Sequence, residues 1–556
     1  MKFERSLLMF VFVLLCIRQD NAFAQSAPFH RYIIEFRDKN NSPFSIDDPA
    51  AFLSQRSINR RIRFGIPVTE NDLPVNLNYI AQVVGAGAKL INKSKWLNSI
   101  SIEVEDSTIL DLINELPFVK LSYPIAPRYA NPITNIKQEV ANYSQKLQAE
   151  NVLDYGKASS QIDMLHGSSL HQQGYKGEGI IIAVMDIGFF NVPNLKVFDS
   201  LTLQGRFLGG WNFVKNNDSI FYNGGHGTSV LSTISANSPG TMIGSAPGAS
   251  VYLFVTEDGS SEYPIEEHNW AAGAEMADSL GADMITSSLG YSEFDDAGFN
   301  YTYEDMDGNT TMVTRAADFA AAKGMIVCSS AGNQGNSNWF YITAPADADS
   351  ILTVGAVDSI GLLTSFSSKG PSSDGAVKPD VVAQGIRATV VEPFSGTIVS
   401  GNGTSYSNPI IAGITACLWQ AHPDKSNMEI IDAIKKSASL YFNPNDSMGY
   451  GIPNFEVADL MLSDKAPQDL SLSKPLVYPN PFQKEFGVLY YTARLQELDI
   501  EIFDIVGKKV QSFSTVFNIG YNYLPVYLFE SAANGLYFLR LNFDDHQEVI
   551  KVVKED

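Results

Sequence analysis

The sequence predicts a three-layer α/β domain with a mainly parallel central sheet, preceded by a small α+β unit and followed by a small all-β sandwich. Three observations predict it. Residues 180–184 form a continuous apolar run bounded by Gly179 and Gly188, which suits a strand buried on both faces of a parallel sheet. Two Gly-rich turns, at 224–227 and 401–403, each lead into a helical pattern, the second followed by the small residues Ala412, Gly413 and Ala416 that close helix–sheet packing requires. Beyond Leu462 the pattern changes to short alternating strands separated by turns. The length of 556 residues allows two to four domains, and 45% hydrophobic against 18% charged residues is a globular composition.

Residues 1–24 read as an export signal. Lys2 and Arg5 give a positive start, residues 7–17 an apolar core too short for a membrane span, and Ala22-Phe23-Ala24 a small-residue cleavage site. No other stretch reads as transmembrane. Residues 25–130 form the α+β unit, with a strand around Tyr32 to Phe36 and a helix opened by Asp48-Pro49 that runs through Ile58. A second helix is expected near Ile80 to Val84. The alternation of Ile100, Ile102 and Val104 predicts a half-buried strand. A helix over 108–116 and a strand over 119–123 complete the unit. A linker over 131–160 leads to the α/β domain at 161–462. A second linker, 463–474, leads to the β-sandwich at 475–556.

Within the α/β domain three distant segments fit one chemistry. Asp186 emerges at the carboxyl end of the buried strand, where open α/β sheets form their sites. His226, one of seven histidines, lies in a Gly-rich strand-to-helix turn. Ser405 precedes the helix that carries Pro409, expected in its first turn, where a missing N–H costs nothing. A hydroxyl nucleophile, an imidazole to take and return its proton and a buried carboxylate to hold that imidazole are what serine hydrolysis needs.

These segments, with Ala331-Gly332-Asn333 between the last two, resemble the subtilisin (subtilase) family of serine peptidases over residues 174–454. The resemblance implies a catalytic triad of Asp186, His226 and Ser405. It implies an oxyanion site made by the Asn333 side chain and the Ser405 backbone N–H. Substrate binding then falls to Ser288, Leu289 and Gly290, an edge segment that pairs with an extended peptide, together with Ala331 and Gly332. Three positions depart from the family's pattern. Ile187 stands where Thr or Ser is usual, Tyr406 where Met commonly follows the nucleophile, and Ser407-Asn408 where an Ala-Ser pair is found. The last two changes are expected to reshape the leaving-group side of the cleft.

The order of elements in 25–130 resembles the inhibitory propeptide of subtilases, an unrelated domain being the alternative. The YPNPF start and GLYFLRL…KVVK end of the last domain resemble the C-terminal sorting domain of the Bacteroidetes type IX secretion system, with a carbohydrate- or protein-binding module as the rival. The resemblances therefore imply a secreted or surface endopeptidase acting on proteins or peptides, with its own propeptide and the secretion machinery as partners. The other reading is a non-catalytic binding protein built on the same fold.

Charge separates the parts. Residues 25–130 hold 12 Lys+Arg and 11 Asp+Glu, whereas 151–460 hold 13 and 33. So acidic a domain repels phosphates, which makes nucleic acid an unsuitable partner. Arg56, Arg60, Arg61 and Arg63 cluster near the first helix, either as a docking face or as a solvated one. Cys328 and Cys417 lie in apolar segments and read as buried free thiols. No CxxC or HExxH spacing suggests a catalytic zinc, and no cofactor is expected. Asp305 and Asp307, in a Gly-permitted turn, are a candidate for structural Ca²⁺, with an acidic surface loop as the alternative.

Overall fold

The computed structural model describes residues 29–127, 153–463 and 474–555, apart from 222–223, 442, 493, 519, 529–531 and 545. The signal at 1–24 and most of both linkers lie outside the described residues.

The first unit is a four-stranded antiparallel sheet. Its strands are β1 (Phe29–Phe36), β2 (Lys89–Ser94), β3 (Ser99–Glu103) and β4 (Val119–Pro127), in the order β2-β3-β1-β4. Its helices are α1 (Gln55–Phe64), α2 (Leu77–Gly85) and α3 (Ile109–Asn114). The helix expected from Asp48 starts later. Pro49–Ala51 makes a single 3-10 turn, and α1 begins where the Ser54 side chain accepts the N–H of Ser57. Strand β2 was not anticipated, and β3 is buried on both faces rather than one. Ile100 and Ile102 face the unit's own core, while Ser99 contacts His268 of the next domain.

The α/β domain carries a seven-stranded, wholly parallel sheet. Its strands are β5 (Ile181–Asp186), β6 (Phe207–Asn212), β7 (Ser250–Val255), β8 (Met284–Ser287), β9 (Ile326–Ser330), β10 (Leu352–Val357) and β11 (Val381–Gln384). They stand in the order β11-β10-β9-β8-β5-β7-β6. Helices α4 (His226–Ser235) and α7 (Thr404–Ala421) cover one face, and α5 (Ile265–Leu280) and α6 (Met312–Ala322) the other. Alternate residues of β5 therefore enter different cores. Ile182 and Val184 pack with Leu231 and Ile411, while Ala183 and Met185 pack with Trp270 and Ala274. That is why the strand reads as an unbroken apolar run. Hairpin β12 (Ala388–Val391) and β13 (Ile398–Gly401) precedes α7; α8 (Asn427–Lys436) and α9 (Phe455–Leu462) close the domain. Cys328 and Cys417 are buried and free.

The last unit is all-β and antiparallel. Strands β14 (Leu476–Tyr478), β15 (Glu485–Thr492) and β18 (Gly520–Tyr527) form one sheet. Strands β16 (Gln496–Asp504), β17 (Lys509–Phe517), β19 (Gly535–Asn542) and β20 (Gln547–Lys554) form the other. Phe486, Val488 and Val526 from the first meet Leu498, Ile500 and Leu539 from the second in one core. Among the described residues no helix is long and apolar enough to cross a membrane.

Two of the four arginines on or near α1 are not on a surface. Arg60 and Arg61 are buried against α5, where both bond the Asp278 carboxylate, at 2.6 and 2.9 Å. Asp72 joins them through Arg61 and Lys323, and Lys95 reaches Asp278 at 3.3 Å. The joint between the first two units is thus a buried network of four cations and two carboxylates.

Candidate active site

Strand β5 delivers Asp186 to the carboxyl edge of the sheet, where it is 2% exposed. Helix α4 starts at His226 beside it. The approach is so close that a Cβ on Gly227 would lie 2.4 Å from the Gly188 carbonyl and 2.9 Å from the Asp186 Cβ, so only glycine fits there. His226 Nδ1 donates to both oxygens of Asp186, at 2.9 and 3.0 Å. The third hydrogen bond to that carboxylate comes from the Ile187 backbone N–H at 2.8 Å. A main-chain donor therefore serves Asp186 although position 187 carries no hydroxyl. The Asp186 charge raises the imidazole above its ordinary value, against the effect of burial. His226 Nε2 has no protein partner among the described residues.

Ser405 sits in the first turn of α7, where N–H groups lack intrahelical acceptors. Its Oγ points at the Ser288 carbonyl, 3.5 Å away, and makes no hydrogen bond to His226 in this structure. Such bonds are often long until substrate is bound. Pro409 is not in the first turn as expected, since α7 begins at Thr404; it lies inside the helix. Proline has no N–H for the carbonyl four residues back, which is that of Ser405. Ser288 Oγ donates to this open carbonyl at 3.0 Å, tying the edge segment to Ser405.

The Asn333 side chain is oriented by Thr404, whose N–H and Oγ donate to Asn333 Oδ1 at 2.9 and 3.1 Å. The opposite end of the amide, Nδ2, keeps its donors free of protein acceptors among the described residues, and Asn333 is exposed. Ser288, Leu289 and Gly290 continue from β8 beyond the last sheet pairing, with Gly290 exposed and Leu289 half-buried. Ala331 is buried beneath this level and Gly332 takes φ 103°. Of the three departures, Ile187 lines the cleft that holds Asp186 and His226, and Tyr406 sets its ring 6.0 Å from the His226 imidazole. Ser407 and Asn408 are buried; Asn408 Nδ2 bonds Thr286 Oγ1 and the Ser287 carbonyl, so it braces the sheet and does not shape the leaving-group side.

Two features were missed by sequence reasoning. A cleft of about 510 Å³ containing Asp186, His226 and Ser288 to Gly290 is walled by Glu257, Glu262 and Glu266. One oxygen from each of these carboxylates lies within 4.8 Å of the others, the arrangement among the described residues that could hold a metal ion. Burial, then mutual repulsion, pushes Glu257 up to about 8. The Glu262 carboxyl, raised first by burial and then by Asp295 and Glu267, reaches about 7. The acids are visible in residues 257–267, but nothing local says which of them converge. Thr343 is the other. It is buried between Gly290 and Gly332, its Oγ1 without a partner and 2.0 Å from where a Gly290 Cβ would stand. Asp305 and Asp307, the expected calcium candidates, each close a turn of their own. Asp305 accepts from Thr302 and Asp307 from Asn309 and Thr310.

The comparisons with known proteins agree with this geometry. Residues 177–451 match the Subtilase family, residues 31–146 the Peptidase S8 propeptide domain of Bacteroidota, and residues 476–555 a secretion system C-terminal sorting domain. Subtilisin E of Bacillus subtilis (strain 168) is 32% identical over 305 residues, covering 53% of this chain and 70% of its own. The subtilisin of Bacillus pumilus is 32% identical over 305 residues, covering 53% of this chain and 97% of its own. Fervidolysin from Fervidobacterium pennivorans, a keratinolytic enzyme related to subtilisin, shares the fold. Its TM-score is 0.53 at 19% identity, over 93% of this chain and 71% of that one. The sorting domain marks the protein for export, to the cell surface or beyond it. With a buried Asp186 holding His226 at the sheet edge, and relatives that span it, this chain belongs to the subtilase family of serine peptidases.

Proposed function

We propose that the protein is an endopeptidase precursor in which Asp186, His226 and Ser405 form the triad. Ser405 Oγ attacks the substrate carbonyl carbon while its proton passes to His226 Nε2. The oxyanion takes hydrogen bonds from the Ser405 N–H and Asn333 Nδ2. Collapse expels the amine, which leaves with the proton held by His226, and water then releases the acyl group by the same steps. The reading calls on no cofactor. The observation that carries it is the buried Asp186 carboxylate on His226 Nδ1, which fixes the ring with its other nitrogen as a proton acceptor. The edge at Leu289 and Gly290, with Gly290 exposed, supports extended substrates whose acyl portion pairs along it. The propeptide domain acts here as an intramolecular inhibitor. Its strand β4 packs Ile125 and Ala126 against Ile265 and Tyr263, next to the glutamate wall of the cleft.

Labelling with a serine-directed fluorophosphonate and cleavage of a peptide blocked at both ends test the reading together. Ser405→Ala should lose the label and fall to the residual catalysis that binding and the oxyanion site supply. Near-normal turnover by that variant would remove Ser405 from the mechanism, and an unlabelled wild-type protein would favour the non-catalytic binding reading. Activity should rise with pH through the titration of His226. Because Asp186 raises that imidazole, the rise is expected to centre above its ordinary value of 6.5. A pH–rate profile already flat from pH 5 upward would contradict it.

A further inference from the structure

Outside the glutamate-walled cleft one aromatic ring, Tyr406, stands beside His226, and two more, Phe190 and Phe394, lie on segments that touch the turn leading into His226. Tyr406 directly follows Ser405, and its ring centroid lies 6.0 Å from the imidazole. Gly401 backs that ring so closely that a Cβ there would come within 2.5 Å of it. On the loop that leads into α4, the Phe190 N–H bonds the Gly224 carbonyl at 3.2 Å. A Cβ on Gly225, the residue before His226, would meet the Pro393 ring at 2.4 Å. Phe394 follows Pro393, sets its ring 5.0 Å from that of Phe190 at a 42° tilt, and is 74% exposed.

The turn that presents Phe394 is fixed. The Glu392 carboxylate accepts the N–H groups of Phe394 and Ser395 at 3.1 and 2.7 Å, and the Ser395 hydroxyl at 2.7 Å. Asn191 Nδ2 donates to the Pro393 carbonyl at 2.9 Å. An aromatic ring held in water by a rigid turn needs little further ordering when something covers it. None of Phe190, Phe394 and Tyr406 lines the cleft that holds Glu257, Glu262 and the edge segment 288–290. The surface around His226 thus has two chemically distinct halves. The acidic half runs along the edge that carries the acyl portion of a peptide, and the aromatic half is left for the portion that departs.

We infer that Phe190, Phe394 and Tyr406 form a ledge for an aromatic or large apolar side chain on the leaving side of the scissile bond. Preferred substrates then carry Phe or Leu just after that bond. The inference rests on the acyl-enzyme reading above. Covering the exposed ring with another apolar side chain removes both from water and adds an aromatic pair contact.

Partition of the acyl-enzyme tests it. A peptidyl ester acylates the active protein in the presence of Phe-NH₂, Leu-NH₂, Gly-NH₂ or Asp-NH₂. The amine nitrogen attacks the acyl carbonyl carbon, the bond to Ser405 Oγ breaks, and the proton lost by the amine returns through His226 to Ser405. The ratio of aminolysis to hydrolysis reads leaving-side binding within one pool of acyl-enzyme, whatever fraction of the protein is active. Phe-NH₂ should exceed Gly-NH₂ by about tenfold, the size of one good aromatic contact with its burial. Phe394→Ala should bring that preference close to unity, and Phe394→Leu should restore most of it for Leu-NH₂. Equal partition of Phe-NH₂ and Gly-NH₂ in the wild type, or a preference that survives Phe394→Ala, would overturn the ledge while leaving the peptidase reading intact. A protein that forms no acyl-enzyme would overturn both.

Discussion

The two ends of helix α5 hold carboxylates in opposite states. At its first turn, where the helix dipole favours an anion, Glu266 is pushed up to about 11, by burial and by the neighbouring Glu257 and Glu262. At its last turn, where the dipole disfavours one, Asp278 is ionised. Burial alone would raise Asp278, yet Lys95, Arg60 and Arg61 hold it far below the carboxylate range. Burial, joined by neighbouring acids, outweighs the dipole at the first end, and neighbouring cations outweigh it at the other. A carboxylate surrounded by cations becomes part of a joint between domains, and a carboxylate surrounded by its own kind keeps its proton and walls a cleft.

The largest effect is expected where the pairing is removed. Asp278→Ala leaves Arg60 buried without its anion and Arg61 with Asp72 alone, and should cost about 3–5 kcal/mol of stability. Chemical denaturation of the full chain measures it, and a loss below about 1 kcal/mol would show that solvent or relaxation replaces the anion. A buried joint also changes what the arginines can do. Two of them act as interior anchors, not as a solvated face that steers docking from a distance.

A smaller effect, with a defined sign in pH, belongs to the other end. An acid raised in the folded state keeps a proton that the unfolded chain releases near 4.5. The cleft glutamates therefore contribute fully below about pH 4.5, and stability declines as pH climbs through the values of about 7 and 8 held by Glu262 and Glu257. Asp278, depressed in the folded state, contributes above its ordinary value of 3.8 and loses that contribution as pH falls. Near pH 4.5 and below, Glu266→Gln should alter stability by no more than about 1 kcal/mol, because Gln resembles the acid that is then protonated in both states. It should also flatten the decline between pH 5 and 8. Denaturation midpoints of both proteins across that range decide it; parallel curves would mean that Glu266 is ionised in the fold.

The smallest effect marks the edge of the joint. Arg63 is exposed and offers one hydrogen bond, 3.2 Å, to the Pro423 carbonyl. Arg63→Ala should change stability by at most about 0.5 kcal/mol, the scale of a surface contact. A larger loss in the same denaturation assay would extend the buried network outward to the rim.

The contrast also separates what was legible in the chain from what was not. Strand β5, the turn before His226 and the helix after Ser405 follow from local pattern, because a both-faces-buried strand and a Gly-rich turn write themselves into consecutive residues. The burial of Arg60, Arg61 and the serine face of β3 does not, since the covering surface comes from α5, more than 150 residues away in sequence. Convergence of Glu257, Glu262 and Glu266 depends on how one loop folds back upon a helix start. Thr343 meets the site beside Gly290 and Gly332, and Phe394 through the Phe190 ring and the seat of Pro393 on Gly225, all from distant segments. Pro409 was placed one turn too early because the helix start was read after the nucleophile and in fact includes it.

Pro409 has a consequence for mechanical tolerance. On the proposed reading, an attack distance is the difference between two positions, that of the Ser405 hydroxyl and that of a carbonyl carbon laid along Ser288 to Gly290. Drift in either position spoils the distance only when the two drift independently. The missing donor at 409 opens the Ser405 carbonyl, and the Ser288 hydroxyl takes it up. The tool and the bench on which the work is laid are clamped to one another, so thermal displacement of one is shared by the other. A donor restored at position 409 would compete for the same oxygen and let the two parts wander separately.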